Sequence, residues 1–154
     1  MRSGCGVDAG STDSPTSDGS AGNGELAMLA VLDTNILVDF LNGITEARRE
    51  IERHHDVAVS VISWVEVLVG ARTDGEEAVI RDFLARFRIL DVDRDTAEEA
   101  IRVRRSHRVK LPDAIIWATA RARGALLVTR NTKDFPPDDP GVRIPYSLTR
   151  GREG

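Results

Sequence analysis

The chain has 154 residues, of which 41% are hydrophobic, enough for one domain with a single core. Its formal net charge of −4 excludes a protein held on nucleic acid by bulk positive charge alone. No apolar run approaches the ~20 residues of a membrane span. The only cysteine, Cys5, rules out an internal disulfide and fits a reducing cytoplasm.

The first 27 residues differ in composition from the rest of the chain. They are rich in Gly, Ser and Asp, and they hold one basic and four acidic residues, so the remainder is nearly neutral. They lack the apolar segment of a signal peptide, which predicts a disordered tail. Met28 directly precedes the first predicted strand, so the true start site could lie there. We expect one domain over 28–148 and a flexible C-terminus over 149–154.

After this tail, short apolar runs alternate with longer amphipathic ones. The first strand, 28–32, leads to a helix that begins near Thr34 and continues as a polar helix to about His54. The elements predicted after it are a strand at 57–62, a helix opened by Ser63 through 71, a helix capped by Asp74 through 87, a strand at 88–92, a helix at 96–107 with Asp95 or Thr96 near its start, a helix at 111–123, and strands at 125–129 and 142–146. This alternation predicts an α/β domain with a parallel sheet covered on both faces.

Four acidic residues are predicted at one edge of this sheet, where ligand sites form beyond the carboxyl ends of parallel strands. Asp33 directly follows the first strand, and Asp134 lies in the loop after the fourth. Glu66 and Asp113 are expected in the first turns of the helices that follow the second strand and precede the fourth. Three of the four thus come shortly after a strand.

Each acid taken alone also fits a structural role. Asp33 could form an Asx turn, and Glu66 could complete a capping box with Ser63. Asp113 at a helix start complements the helix dipole, and Asp134 before two prolines could be ordinary turn chemistry. Four independent caps need not converge on one edge, however. Their convergence on one edge favours a common functional site over four separate caps.

A cluster of carboxylates requires a counter-charge. Two carboxylates ~4 Å apart repel by roughly 4 kcal/mol at an effective dielectric of 20, so a cluster without a cation would raise its own pKa values. Mg²⁺ prefers oxygen ligands, keeps several waters and often binds through a few carboxylates plus substrate phosphate. The pattern therefore predicts a site for a hard divalent cation that acts on a phosphate-containing substrate.

Basic residues accompany the acids in the sequence. The run RVRRSHRVK at 102–110 directly precedes Asp113, and Arg130 and Lys133 flank Asp134. Such a run is most often a solvated helical face, but beside an acidic metal site it is also what a nuclease needs to hold a nucleic-acid backbone. Asp93 also follows a strand, and its spacing alone does not remove it from the cluster.

The stretches VLDTNILVDFL, SVISWVEVLVGA, LPDAIIWATARARGALLVTRN and TKDF resemble, in this order, those of PIN-domain ribonucleases, in particular VapC-type toxins of toxin–antitoxin pairs. The resemblance spans roughly 29–148. It implies that Asp33, Glu66, Asp113 and Asp134 are the four acids of the metal site, and it gives Asp93 no counterpart. It also implies that Thr129 and Asn131 orient metal-bound water.

The resemblance further implies a three-layer sandwich with a parallel sheet of four or five strands, and cleavage of RNA dependent on Mg²⁺ or Mn²⁺. The expected partners are RNA, a cognate antitoxin and a second copy of the chain, without a membrane and in the cytoplasm. We expect the RNA backbone to be contacted by basic residues near the acids, namely Arg105, Arg108, Lys110, Arg130 and Lys133.

Two other functions stay open from the sequence. A phosphatase or receiver-like phosphotransfer domain also places an Asp after its first strand, but position 35 is Asn where such a phosphatase would have a second Asp. A receiver would also have an acidic pair ahead of Asp33, which is absent. The other alternative is a non-catalytic PIN-like RNA-binding module, against which the complete set of four acids argues.

Overall fold

The structure is a computed structural model that describes residues 28–148. The predictions of a disordered tail at 1–27 and a flexible C-terminus at 149–154 concern residues outside this range. Five strands lie within the described range: β1 (Leu29–Leu32), β2 (Asp56–Ser60), β3 (Arg88–Leu90), β4 (Leu126–Val128) and β5 (Val142–Arg143). The helices of this range are α1 (Thr34–Leu41), α2 (Thr45–Arg53), α3 (Val61–Val69), α4 (Asp74–Leu84), α5 (Arg94–Ser106) and α6 (Leu111–Arg121).

All strand pairs are parallel, and the sheet order is β3-β2-β1-β4-β5. β1 is the central strand. Its residue Leu32 pairs with Val128 of β4, so the two strands end at the same level. Because all five strands run the same way, the loops after β1, β2 and β4 leave one edge of the sheet. The predicted parallel sheet is therefore confirmed, with five strands.

Two hydrophobic cores lie on opposite faces of the sheet. One contains Ala30 and Leu32 of β1 together with buried residues of α1, α2, α3 and α4. The other contains Val31 of β1 together with buried residues of α5 and α6, among them Trp117. Successive side chains of a strand point to opposite faces, so β1 contributes to both cores. The result is the predicted α/β arrangement of three layers.

The predicted continuous helix from Thr34 to His54 is wrong. It divides into α1 and α2, because Asn42 ends α1 and Gly43 adopts a positive φ of 81°. This left-handed backbone costs a residue with a side chain more than it costs glycine. The break turns the chain so that α2 packs against α1 instead of extending it.

Three predicted helix starts are corrected by the observed caps. α3 begins two residues before Ser63, capped by the Ser60 hydroxyl, so the predicted capping box of Ser63 and Glu66 does not form. The helix predicted to be capped by Asp74 is capped instead by Thr73, whose Oγ1 accepts from the Glu76 amide at 3.0 Å. α5 begins at Arg94, ahead of the predicted start.

The α5 cap also decides the position of Asp93. Its Oδ1 accepts a 2.8 Å hydrogen bond from the Thr96 amide, and its other oxygen lies 3.7 Å from the Arg123 guanidinium. Asp93 is therefore a helix cap. None of the helices within residues 28–148 is long and apolar enough to cross a bilayer.

Candidate active site

The ends of β1 and β4 bring two parts of the site together. The Asp33 amide donates to the Val128 carbonyl at 2.9 Å, which holds the residue after β1 against the end of β4. Thr129, the residue after β4, donates from Oγ1 to Asp33 Oδ2 at 2.7 Å. The other Asp33 oxygen accepts from the Thr34 amide at 2.7 Å, so Asp33 also caps α1. Both carboxylate oxygens are thus fixed by neighbouring groups.

Asp33 is a buried carboxylate with a perturbed pKa. Only 3% of its surface is exposed. Burial raises its pKa from 3.8 to about 6, against the hydrogen bonds from Thr129 and Thr34, and the negative charges of Asp113 and Glu66 raise it further. Helix capping alone does not require a buried carboxylate facing two other acids. A buried acid with a raised pKa beside two other acids makes Asp33 a candidate ligand or catalytic group.

Glu66 reaches the same edge from α3. Because α3 starts at Val61, Glu66 lies in the second turn of the helix, not in the first turn as predicted. Its Oε1 accepts a 2.7 Å hydrogen bond from Thr34 Oγ1, which also lies 2.9 Å from Oγ of the buried Ser63. Thr34 thus connects the residue after β1 with α3, while the Glu66 side chain stays exposed.

Asp113 occupies the third position of α6, directly after Pro112, as predicted. Burial raises its pKa, the charges of Asp134 and Glu66 raise it further, and Lys110 lowers it. Asp134 follows β4, where its Oδ2 accepts from the Asn131 side-chain amide at 2.9 Å. The Asn131 side-chain oxygen, Oδ1, accepts in turn from the Asp134 backbone amide at 3.2 Å. Asn131 therefore fixes both the backbone and the carboxylate of Asp134.

Electrostatic repulsion links these four side chains in pairs. Asp33 is influenced by Asp113 and Glu66, and Asp113 by Asp134 and Glu66. In the described part of the chain, no three His, Cys, Asp or Glu side chains are close enough to hold a metal by themselves. An all-oxygen set with mutual repulsion nonetheless fits Mg²⁺ or Mn²⁺, because Mg²⁺ retains waters that bridge to more distant carboxylates.

The predicted basic residues fall into two groups. The side chains of Arg105, Arg108, Lys110 and Lys133 are exposed, and Lys110 directly precedes α6. Arg130 differs, because its guanidinium makes two hydrogen bonds to the buried Asp39 carboxylate, at 2.6 and 2.9 Å. An RNA phosphate would have to compete with this ion pair for Arg130.

Sequence reasoning did not single out several residues that support the acids. Thr34 binds Glu66, and the Asn35 amide lies 3.4 Å from Thr129 Oγ1. Their signal in the sequence is the pair of polar residues between Asp33 and the apolar run of α1. Asp39 and Tyr146 gave no comparable signal, because Asp39 is 91 positions from its partner Arg130 and 107 positions from its partner Tyr146.

Comparisons with known proteins agree on one family. The family model described as "PIN domain" matches residues 30–136. Ribonuclease VapC10 of Mycobacterium tuberculosis is 34% identical over 116 residues, covering 70% of this chain and 86% of its own length. The tRNA(fMet)-specific endonuclease VapC of Shigella flexneri is 30% identical, covering 68% and 88%. A solved toxin–antitoxin complex from Klebsiella pneumoniae contains a chain that is 43% identical, with a TM-score of 0.73, covering 77% of this chain and 99% of its own.

Proposed function

The chain belongs to the PIN-domain family, and from this premise we propose that it is the ribonuclease toxin of a toxin–antitoxin pair, hydrolysing RNA phosphodiester bonds at the edge formed by Asp33, Glu66, Asp113 and Asp134. The observation that carries the proposal is the mutual repulsion of these carboxylates around the buried Asp33. A purely structural edge would have no reason to keep that repulsion.

The four acids are the residues that would hold Mg²⁺ or Mn²⁺. The chemistry that such a cation supplies when bound is activation of a water and neutralisation of charge on the phosphodiester. Thr129 keeps one oxygen of Asp33 hydrogen-bonded, and Asn131 does the same for Asp134. Besides the water-orienting role that the resemblance implies, these two side chains orient the carboxylates and so limit the positions that the acids can adopt.

In this proposal the RNA backbone is bound by exposed cations that neighbour the acids in the sequence. We assign this role to Arg105, Arg108, Lys110 and Lys133, whose side chains are exposed. Lys110 has the strongest support, because its charge acts directly on Asp113. Arg130 is assigned a different role, since Asp39 already binds its guanidinium. Contacts of this kind position a substrate without reading its sequence.

The antitoxin is expected to bind a groove among the helices of the layer that carries Glu66. This groove has a volume of about 640 Å³ and lies between α1, α3 and α4. Its lining combines apolar side chains with polar ones: Val38, Leu41, Val67, Val79 and Ile80 with Asn42, Arg72, Thr73 and Glu76. Val38 and Val79 are 39% and 63% exposed, so the groove presents apolar surface with a polar border, as an interaction surface does. An apolar antitoxin segment seated here would lie against the helices that begin at Asp33 and carry Glu66.

A second copy of the chain is expected at a different apolar depression, of about 320 Å³, between α5 and α6. Ile101 and Leu111 border it and are 46% and 56% exposed. Covering both side chains removes apolar surface from water, the main driving force of homodimer formation. We place the functional unit at residues 28–148 and its action in the cytoplasm, where RNA is available.

The decisive experiment is an RNA cleavage assay with the purified full chain. We expect internal cleavage of a structured RNA such as a tRNA in Mg²⁺ or Mn²⁺, and none in excess EDTA. Release of inorganic phosphate from a phosphomonoester without RNA cleavage would indicate the phosphotransfer alternative. RNA binding without cleavage in either metal would indicate the non-catalytic module. Undiminished cleavage in EDTA would contradict the metal mechanism.

A further inference from the structure

Asp39 is a buried acid that the proposed chemistry does not use. It lies in the last turn of α1 and is 3% exposed. Its Oδ2 accepts from Arg130 Nε at 2.6 Å and from the Tyr146 hydroxyl at 2.8 Å, while its Oδ1 accepts from Arg130 Nη2 at 2.9 Å. These three side chains, called the Asp39 network below, join α1, the loop after β4 and the segment after β5.

The bidentate geometry makes this pair more specific than a surface salt bridge. A planar guanidinium that donates two parallel hydrogen bonds to a carboxylate is fixed in both distance and orientation. Here the carboxylate is buried and one oxygen is also held by Tyr146, so the Arg130 side chain has little freedom to move away. The backbone of residue 130 is restrained with it.

The residues on either side of Arg130 contact the catalytic acids. Thr129 donates to Asp33 at 2.7 Å, and Asn131 donates to Asp134 at 2.9 Å. The backbone amide of Asn131 donates to Thr129 Oγ1 at 3.0 Å. The backbone amide of Arg130 lies 3.4 Å from the Asn35 side-chain oxygen. Any displacement of Arg130 therefore moves the hydrogen-bond donors of two acids.

We propose that Asp39, Arg130 and Tyr146 are positioning residues that hold Thr129 and Asn131 where they orient the carboxylates of Asp33 and Asp134. The proposal deepens the proposed function, on which it rests for the role of the acids. Groups that orient metal ligands from behind commonly change metal affinity by 10–100-fold when removed.

The fold contains a matched control for this network. Arg143, at the end of β5, also makes two hydrogen bonds to a buried carboxylate, that of Glu50 in α2. The chemistry and burial are alike, but in the hydrogen bonds of the described residues neither the Arg143 side chain nor those next to it touch one of the four acids. The Arg143 carbonyl does accept from the Thr129 backbone amide at 3.0 Å, a bond of the β4–β5 pair that a side-chain substitution leaves in place. A loss of general stability should affect both pairs, whereas a loss of positioning should affect only the Asp39 network.

The test compares Asp39→Asn/Arg130→Met with Glu50→Gln/Arg143→Met in the full chain. Removing both partners leaves no uncompensated buried charge, so both variants are expected to fold. We expect the first to bind Mn²⁺ at least tenfold more weakly in titrations without RNA and to lose kcat similarly, with KM for RNA within twofold. The control should bind Mn²⁺ within twofold of wild type, whatever its melting temperature.

A metal-free readout separates this proposal from the proposed function. In EDTA, the side-chain amide NMR signal of Asn131, which donates to Asp134, should shift in Tyr146→Phe, a variant that changes no residue next to Thr129 or Asn131. It should not shift in the Glu50→Gln/Arg143→Met control, even if the wild type failed to bind Mn²⁺ or cleave RNA. Tyr146→Phe, which removes one hydroxyl, should give a smaller loss of Mn²⁺ affinity and serves if the double variant does not fold. An unchanged NMR signal together with unchanged Mn²⁺ affinity would overturn the proposal. A raised KM for RNA with unchanged kcat would also overturn it, because it would indicate that Arg130 contacts RNA.

Discussion

The hydroxyl of Thr129 donates a 2.7 Å hydrogen bond to Asp33, joining the residues that follow β4 and β1 across 96 positions of sequence. Thr129 is fully buried and Asp33 nearly so. In this environment the hydroxyl favours the ionised form of Asp33, which burial disfavours. A metal ligand must be ionised, so under the proposed metal mechanism the balance between these two effects sets the pH at which Asp33 can bind a cation.

The first prediction concerns this pH dependence. The Asp33 pKa is raised to about 6, so the group is ionised above that pH and protonated below it. We expect Mn²⁺ affinity to be constant above about pH 7 and to fall roughly tenfold per pH unit below 6. Thr129→Val should move this break to higher pH. Thr119→Val, which removes another buried hydroxyl bonded only to a backbone carbonyl, should not. If Mn²⁺ affinity fell at the same pH in Thr129→Val as in wild type, the assignment of this pH dependence to Asp33 would be contradicted.

The second prediction is that Asp113→Asn reduces cleavage at least a hundredfold while the protein stays folded. A loss of this size corresponds to ~3 kcal/mol in the barrier. The melting temperature in EDTA should not fall, because burial and the charges of Asp134 and Glu66 already disfavour the Asp113 carboxylate. Asp95→Asn is the control, since Asp95 lies in the first turn of α5. A cleavage rate of Asp113→Asn close to that of wild type would show that Asp113 only complements the dipole of α6.

The third prediction is acid-dependent stability at Glu50. Burial would raise the pKa of Glu50, but hydrogen bonds from Arg143 and His54 outweigh it and lower the pKa from 4.5 to about 2. The stability that this depressed pKa contributes is present above pH 4.5 and is lost as pH falls from 4.5 towards 2. In Glu50→Gln, the free energy of unfolding measured with urea should therefore depend less on pH over this range. Glu77→Gln, in an exposed pair with Arg81, should leave it as in wild type.

The fourth prediction tests the antitoxin groove. Val79→Glu places a charge among apolar side chains and should weaken binding of the cognate antitoxin by at least tenfold in calorimetry. RNA cleavage by the free toxin should be unchanged, since Val79 lies on α4 and contributes nothing to the four acids. Val65→Glu, also an exposed valine but outside the groove lining, serves as the control. Equal binding by the Val79 and Val65 variants would place the antitoxin elsewhere.

The fifth prediction tests the homodimer. We expect the full chain to elute as a dimer in size-exclusion chromatography with light scattering, and Ile101→Glu to shift it to monomer. A glutamate in the α5–α6 depression removes apolar contact area, and it would have to be desolvated together with Arg104 and Arg105, which also line the depression, on forming the dimer. Val79→Glu provides the control, because it disturbs the other groove. A wild type that is monomeric at high micromolar concentration would refute the dimer.

Much of the fold could be predicted from local sequence. Apolar runs of strand length followed by amphipathic runs specify alternating strands and helices, and this alternation permits little besides a parallel sheet between helix layers. The rule that sites form at the carboxyl ends of such strands then selected Asp33, Glu66, Asp113 and Asp134. Helix boundaries were less accurate, because Ser60, Thr73 and Asp93 compete as caps with other polar residues nearby.

The sequence by itself determined the element types, the parallel sheet and the acids, because each depends on neighbouring residues and on strand direction. Only the tertiary structure decided which partners hold those acids. β4 lies beside β1 in the sheet, although Thr129 after β4 and Asn35 after β1 are 94 positions apart in the sequence. Because the two strands are adjacent, Thr129 can donate a hydrogen bond to Asp33, and Arg130 can donate to Asp39. Such pairings depend on strand order and register, which a single sequence does not encode locally. For this reason nothing in the sequence indicated that Arg130, one of the five basic residues expected to contact RNA, binds a buried acid.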